Sequence, residues 1–226
     1  DAQNLDASFI PLEGSSSRGA VMATLELESP IFSVAQPMLL GTLGRGGNPS
    51  TLVELDTNTG AVIREIGAIG YSVNGLEYVA ASGRLFATVS SNDATAPGTL
   101  IEIDMASGAG SVIGPLGLMD PVTTETSVTN LTSDPDGNLY AWFQGTAGAN
   151  YADMGLVAID ASTGQASLVG ASGDYDFWQH GLSFDTAGNL YLVNYTGDTY
   201  QIDPASGAPT YLFNDGNQLA HHGDFD

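Results

Sequence analysis

Four copies of one short turn motif recur along this chain. Each copy follows the pattern Asp-x-x-(Ser/Thr)-Gly, and the copies are Asp56–Gly60, Asp104–Gly108, Asp160–Gly164 and Asp203–Gly207. In such a turn the aspartate accepts hydrogen bonds from the backbone amides that follow it, and the glycine takes the left-handed conformation that reverses the chain. A period of this size is typical of propellers and solenoid arrays. We therefore interpret the four aspartates as hairpin formers and not as calcium ligands or catalytic acids.

Short runs of alternating apolar and polar residues surround each turn. Because this alternation has the period of a β-strand and further turn residues separate the runs, each unit is predicted to be a four-stranded antiparallel meander. The runs of the clearest unit are Gly181–Asp185, Asn189–Val193, Thr199–Asp203 and Pro209–Phe213. The runs of the earlier units are Met38–Leu43, Thr51–Asp56 and Ala61–Ile66; Gly75–Val79, Arg84–Ser90, Thr99–Asp104 and Gly110–Ile113; and Thr129–Asp134, Asn138–Gln144, Gly155–Asp160 and Gln165–Val169.

The first run of the unit recurs at the end of the chain, where Gly223–Asp226 matches Gly181–Asp185. No second strand follows it, whereas the unit that starts at Met38 lacks a first strand. Pairing of residues 221–226 with residues 38–66 would therefore close a ring, as β-propellers do to hide their sheet edges. The sequence predicts an all-β propeller of four four-stranded blades closed by its N- and C-terminal strands, with five blades as the alternative.

The domain organisation follows from where the repeat begins. Residues 1–37 lack the repeat and are predicted to form an N-terminal arm or latch, and residues 38–226 form the propeller domain. If strands within residues 20–34 contribute a blade, the count becomes five. The chain begins at Asp1 without an apolar leader, which we interpret as a processed chain that has lost an export signal, although a trimmed chain would look the same.

The net charge excludes several partners. The chain has 26 acidic residues against four basic ones, all arginine, for a formal charge of −22. Nucleic acids and anionic membrane surfaces would be repelled, and no apolar run is long enough for membrane insertion. Because cysteine is absent, neither a disulfide framework nor a thiolate metal site is available. Such acidity is typical of a protein kept soluble by its charge, and it leaves cationic partners and divalent ions open.

Polar residues that precede the innermost strand of each blade would surround the mouth of the central channel. The alignment of the repeats places there Asn74, Thr129, His180 and either His221 or His222, with Asp176 and Trp178 nearby. Histidines can bind a divalent metal or exchange protons. The metal-ligand candidates are His180, His221 and Asp224, although no local histidine-pair motif supports them, so the sequence indicates no definite cofactor beyond a candidate divalent metal ion.

Other sequence motifs add little. No phosphate-binding loop, nucleophile elbow, dinucleotide fingerprint or EF-hand loop is present. Asn130-Leu-Thr132 and Asn194-Tyr-Thr196 fit the glycosylation sequon. Both lie in predicted strands or at their ends, so we expect neither to be used.

The segment Asn189–Gly207 resembles the blades of secreted bacterial β-propellers of the NHL and surface-layer (YVTN-like) kinds, in which a Leu-Tyr strand precedes an Ile-Asp-x-x-(Ser/Thr)-Gly turn. The likeness covers roughly residues 38–226, but the Tyr-Val-Thr-Asn tetrapeptide itself is absent. It implies an exported, extracellular or cell-surface protein. Because the shared positions build strands and turns, it implies less about activity.

Two functions from different classes follow. The first is a non-catalytic binding, scaffolding or assembly module with a protein or glycan ligand at the cell surface, able to form a homo-oligomer or filament through its terminal strands. The alternative is a lactonase-like hydrolase or lyase that works at the channel mouth. The lack of a catalytic signature favours the first.

Overall fold

The computed structural model describes residues 38–44, 47–118, 128, 130–143, 154–171, 181–194, 196–214 and 216. Every regular element in these ranges is a β-strand, and they contain no helix that could span a membrane. The strands are β1 (Leu39–Leu43), β2 (Thr51–Leu55), β3 (Val62–Ala68), β4 (Val73–Val79), β5 (Arg84–Val89), β6 (Thr99–Ile103), β7 (Gly110–Pro115), β8 (Thr132–Ser133), β9 (Leu139–Phe143), β10 (Gly155–Ile159), β11 (Ala166–Ala171), β12 (Gly181–Phe184), β13 (Leu190–Val193), β14 (Asp198–Ile202) and β15 (Pro209–Asn214).

The strands form four antiparallel sheets whose spatial order follows the chain. Blade 1 is β1-β2-β3, blade 2 is β4-β5-β6-β7, blade 3 is β8-β9-β10-β11 and blade 4 is β12-β13-β14-β15. The inner strands β4, β8 and β12 lie side by side. The protein is therefore an all-β propeller of four blades, which confirms the predicted fold class and the four-blade count.

Blade 1 has three strands among the described residues, and they match the second, third and fourth strands of the other blades. Its inner position is the one that residues 221–226 were predicted to fill, but those residues lie outside the described part of the chain. The arm predicted for residues 1–37 also lies outside it. Closure by the terminal strands and the division into arm and propeller therefore stay predictions.

The Asp-x-x-(Ser/Thr)-Gly turns have the predicted geometry. In the blade 2 copy, Asp104 Oδ1 accepts hydrogen bonds from the amides of Ala106 at 2.9 Å and Ser107 at 2.8 Å. The Gly108 amide donates to the Asp104 carbonyl at 2.7 Å, and Gly108 has a φ of +79°. The aspartate is therefore occupied by its own turn, as expected for a hairpin former.

The core lies between successive blades. One cluster of buried apolar side chains joins blades 1 and 2 around Leu52 and Ile101, a second joins blades 2 and 3 around Phe86 and Phe143, and a third joins blades 3 and 4 around Trp142. The central strands alternate between two buried faces, and burial of these large side chains supplies the main stabilising term.

Adjacent blades also meet backbone to backbone at their outer edges. A methyl group on Gly108, in the turn of blade 2, would lie 2.6 Å from the carbonyl oxygen of Gly67 in β3. The same contact joins Gly164 to Gly114 and Gly207 to Gly170 at the next two joints. Only glycine allows this approach, and we call the contact the glycine joint.

Candidate functional site

The candidate site predicted from the sequence lies at the mouth of the channel. Of its candidate residues, Asn74 is among those that the structure describes. Asn74 lies in β4, where it is exposed and is the extra residue of a β-bulge between the pairs Val73–Val89 and Gly75–Thr88. The remaining candidates lie outside the described residues: Thr129, Asp176, Trp178, His180, His221, His222 and Asp224. Neither their convergence nor a metal site among them is tested.

The connections between antiparallel strands lie at two opposite ends of the propeller. One end, here the turn face, carries the hairpin turns that join the first strand to the second and the third to the fourth. The opposite end, the loop face, carries the loops between blades and between the second and third strands. Asn74 lies near the loop face, whereas the described concave surfaces lie on the turn face.

Two adjoining grooves cross the turn face between blades 2, 3 and 4. The inner groove has a volume of about 310 Å³ and the outer groove about 470 Å³. Asp134, Pro135 and Phe184 line both of them. The inner groove is completed by Tyr78, Ala80, Ala81, Ser133, Asp185 and Thr186, and the outer groove by Asp136, Tyr140, Ala187, Gly188, Pro204 and Ala205. Together they form one surface lined by carboxylates and aromatic rings, which we call the turn-face groove.

The acidic walls come from two copies of an Asp-x-x-Gly-Asn turn. In the first, Asp134 accepts hydrogen bonds from the amide and the side chain of Asn138, both at 2.8 Å. In the second, Asp185 accepts the same two bonds from Asn189, again at 2.8 Å, and a third from the Ala187 amide. These bonds lower the pKa of Asp185, with the Asn189 side chain as the largest cause. The turns thus hold both carboxylates in fixed positions.

Aromatic rings form the floor and one rim of the groove. The rings of Tyr140 and Phe184 lie 5.4 Å apart and are inclined at 57°, a geometry in which aromatic pairs attract. Burial raises the pKa of Tyr140, and the nearby negative charge of Asp134 raises it further, so the phenol stays neutral. Tyr78 stands at the opposite rim with about half of its surface exposed. The Tyr78 ring is therefore accessible to a ligand, whereas the rings of Tyr140 and Phe184 are half-buried.

The described arginines leave this negative charge uncompensated. Arg64 pairs with Glu54 across strands β2 and β3, with 2.7 Å between Nη2 and Oε2. Arg84 forms two hydrogen bonds to Glu102, at 3.0 and 2.7 Å, and its guanidinium lies 4.5 Å from the centre of the Phe86 ring. Since neither arginine lines the turn-face groove, Asp134, Asp136 and Asp185 form a negative surface there.

Three buried polar side chains on the loop face are hydrogen-bonded within the protein. Asp93 is buried and accepts four hydrogen bonds, among them one from the Ser72 amide at 2.7 Å. Asn130 and Asn194, the sequon asparagines, are 7% and 5% exposed, and their side-chain oxygens accept backbone hydrogen bonds. Both are thus buried in the folded protein, and their lack of glycosylation stays a prediction.

The lining of the turn-face groove is acidic and aromatic. Its lining contains no histidine or cysteine, and among the described residues no three metal-ligating side chains converge. It offers fixed negative charge beside the exposed Tyr78 ring and the half-buried rings of Tyr140 and Phe184. Sequence reasoning missed it, although the repeated Asp-x-x-Gly-Asn-Leu-Tyr pattern at residues 134–140 and 185–191 was a usable signal.

Comparison with known proteins supports the fold alone. No protein-family model and no curated protein matches the chain. The chain is similar to a solved structure of a structural genomics protein of unknown function from Bacteroides thetaiotaomicron VPI-5482, with a TM-score of 0.53, 14% identity and coverage of 77% of this chain and 44% of that one.

Two further structures are similar, both at 14% identity. The Dos1 propeller has a TM-score of 0.44, with 77% of this chain and 45% of that chain covered. A luciferin-regenerating enzyme has a TM-score of 0.48, with 82% and 60% covered. The chain thus spans about half the length of the structures it matches. Membership of the NHL or surface-layer families stays a prediction.

Proposed function

We propose that the protein is a non-catalytic binding module that holds a basic segment of a partner protein in the turn-face groove. One observation carries the proposal: three carboxylates, Asp134, Asp136 and Asp185, line the same continuous groove as the exposed ring of Tyr78 and the half-buried ring of Phe184. Arginine and lysine side chains suit such a surface because they pair with carboxylates and also stack on aromatic faces.

The whole-molecule charge favours the same class of partner. With a formal charge of −22 and both described arginines paired internally, the protein steers cations toward it and repels anions. The shape of the groove, bounded by rigid hairpin turns on three consecutive blades, suits an extended peptide. An exported or cell-surface location is part of the proposal and is supported by the acidity and the resemblance of the blades to secreted propellers.

Calorimetric titration tests the proposal with a pentapeptide of sequence Gly-Arg-Gly-Arg-Gly, blocked at both ends, as the probe. The same peptide with citrulline in place of arginine keeps the shape and removes the charge. We expect the arginine peptide to bind at low salt and the citrulline peptide to bind at least about tenfold more weakly. Equal binding of the two peptides, or none, would contradict the proposal.

A matched pair of variants separates the groove from the general charge. Asp136→Asn removes a carboxylate from the groove, and Glu65→Gln removes one from the exposed surface of β3. We expect Asp136→Asn to weaken binding about threefold and Glu65→Gln to have little effect. If both variants weaken binding equally, the peptide follows the net charge and the groove is not its site.

The alternative enzyme function depends on His180 and His221, which lie outside the described residues. A His180→Ala/His221→Ala variant that still binds the arginine peptide with unchanged affinity supports the binding module. Loss of peptide binding in that variant, with the groove variants unaffected, would move the site to the channel mouth.

A further inference from the structure

The three carboxylates of the turn-face groove differ in the hydrogen bonds that they already accept. Asn138 donates to both oxygens of Asp134, from its amide to Oδ1 and from its side chain to Oδ2, each at 2.8 Å. Asn189 spans the two oxygens of Asp185 in the same way. A donor that spans both oxygens of a carboxylate takes the place in which a guanidinium forms its two parallel hydrogen bonds. In Asp134 and Asp185 the protein itself therefore fills that place.

The third carboxylate, that of Asp136, is not used in this way. Asp136 is exposed and lines the outer groove. Within the described part of the chain its carboxylate has no hydrogen-bond or ion-pair partner. Both of its oxygens are therefore available to a ligand that donates two hydrogen bonds side by side.

The hairpin turn does not require a carboxylate at this position. The two copies of the Asp-x-x-Gly-Asn turn align residue by residue, and Ala187 stands in the blade 4 copy where Asp136 stands in the blade 3 copy. Both copies close with the same backbone hydrogen bond, from the glycine amide to the carbonyl of the first aspartate, at 2.9 Å in blade 3 and 3.0 Å in blade 4. Because alanine serves the turn equally well, folding of the hairpin does not explain Asp136.

We propose that Asp136 makes the turn-face groove select arginine over lysine in its partner, an inference that rests on the proposed function. A guanidinium donates two parallel hydrogen bonds to the free Asp136 carboxylate, whereas an ammonium pairs with it as a point charge. The half-buried rings of Tyr140 and Phe184 line the same outer groove and give the flat, weakly hydrated guanidinium a surface on which to pack. Asp134 and Asp185, whose bidentate places are filled, attract both cations through their charge.

Calorimetric titration of the full chain at low salt tests the inference with two blocked peptides, Gly-Arg-Gly-Arg-Gly and Gly-Lys-Gly-Lys-Gly, which have the same charge and spacing. We expect the wild-type protein to bind the arginine peptide about fivefold more tightly than the lysine peptide. Asp136→Ala, which copies the blade 4 turn, should weaken binding of the arginine peptide about threefold and that of the lysine peptide much less. The preference should therefore fall to about twofold or below. Glu65→Ala removes the same charge from the exposed surface of β3 and should keep the wild-type preference.

A measurement on the wild-type protein needs no variant. When the arginine peptide is added, the side-chain carboxyl carbon of Asp136 should show a larger NMR chemical-shift change than those of Asp134 and Asp185.

The outcomes separate this inference from the proposed function. Equal affinity of the wild-type protein for the two peptides, an arginine preference that Asp136→Ala leaves intact, or a larger carboxyl shift at Asp134 or Asp185 would overturn the role of Asp136 while the groove still binds a basic peptide. Failure of both peptides to bind would overturn the proposed function and this inference with it. Circular dichroism verifies that both variants are folded.

Discussion

The Asp93 carboxylate accepts a hydrogen bond from the Ser72 amide at 2.7 Å and thereby ties the loop after β5 to the segment that enters β4. Desolvation raises the pKa of Asp93, but the amides of Ser72, Thr95 and Ala96 and the Thr95 hydroxyl together lower it to about 2. The residue is 6% exposed. A buried carboxylate satisfied in this way stabilises the folded state only while it is ionised.

The first prediction concerns pH. Because the folded pKa of Asp93 lies below the unfolded value of about 4, its contribution is present above pH 4 and is lost as the pH falls from about 4 toward 2. Asp93→Asn replaces one of the two acceptor oxygens with an amide donor, so we expect a loss of about 1–3 kcal/mol in the free energy of unfolding at pH 7. Urea unfolding should show that this difference shrinks near pH 2, whereas a difference that is independent of pH would exclude the ionised carboxylate as its source.

The second prediction concerns the glycine joint. A side chain on Gly114 would collide with the carbonyl oxygen of Thr163 in the next blade, so Gly114→Ala should cost about 1–3 kcal/mol through overpacking. Gly41→Ala is the control, since its new methyl group would meet the flexible Leu55 side chain. Equal unfolding free energies for the two variants would show that the blades adjust at the joint.

The third prediction concerns salt. Because the described arginines are both paired with glutamates while many carboxylates have no cation beside them, screening should relieve more repulsion than attraction. We expect the thermal midpoint to rise between about 0.02 and 0.5 M NaCl. The Arg84→Gln variant should lose less than about 1 kcal/mol, because the ion pair with Glu102 is partly exposed. A thermal midpoint that falls with added salt would contradict a net repulsion among the carboxylates of the folded protein.

The sequence predicted the blades well because their cause is local. Each Asp-x-x-(Ser/Thr)-Gly turn folds through hydrogen bonds within five residues, and the alternating runs beside it have the strand period. Among the described residues the predicted bounds differ from the observed ones by a few residues at most. Gly75–Val79 is observed as Val73–Val79, and the run Thr129–Asp134, whose first residue lies outside the described part, is observed as Thr132–Ser133. The bulge at Asn74 was not predicted, since a bulge depends on the partner strand.

The joints and the groove depend on contacts between blades, which a repeat pattern does not specify. Gly67 and Gly108 are 41 positions apart, and nothing in their local sequence shows that they touch. In an alignment of the fourth strands, Phe213 occupies the position of Gly67, Gly114 and Gly170. This alignment requires the register shift between the third and fourth strand of each blade, which the sequence does not show. For the same reason the sequence located its site among the residues that precede the innermost strands and overlooked the aspartate turns at the opposite end.

The most direct test of the proposed function is a two-dimensional amide NMR titration of the labelled protein with the Gly-Arg-Gly-Arg-Gly peptide. Binding in the turn-face groove predicts that the largest chemical-shift changes fall in Asp134–Asn138 and Asp185–Asn189, with smaller ones near Tyr78. The citrulline peptide should leave these amides unchanged. Changes centred on the loop face, in Ser90–Gly98, or spread evenly over all exposed acidic residues, would contradict the account.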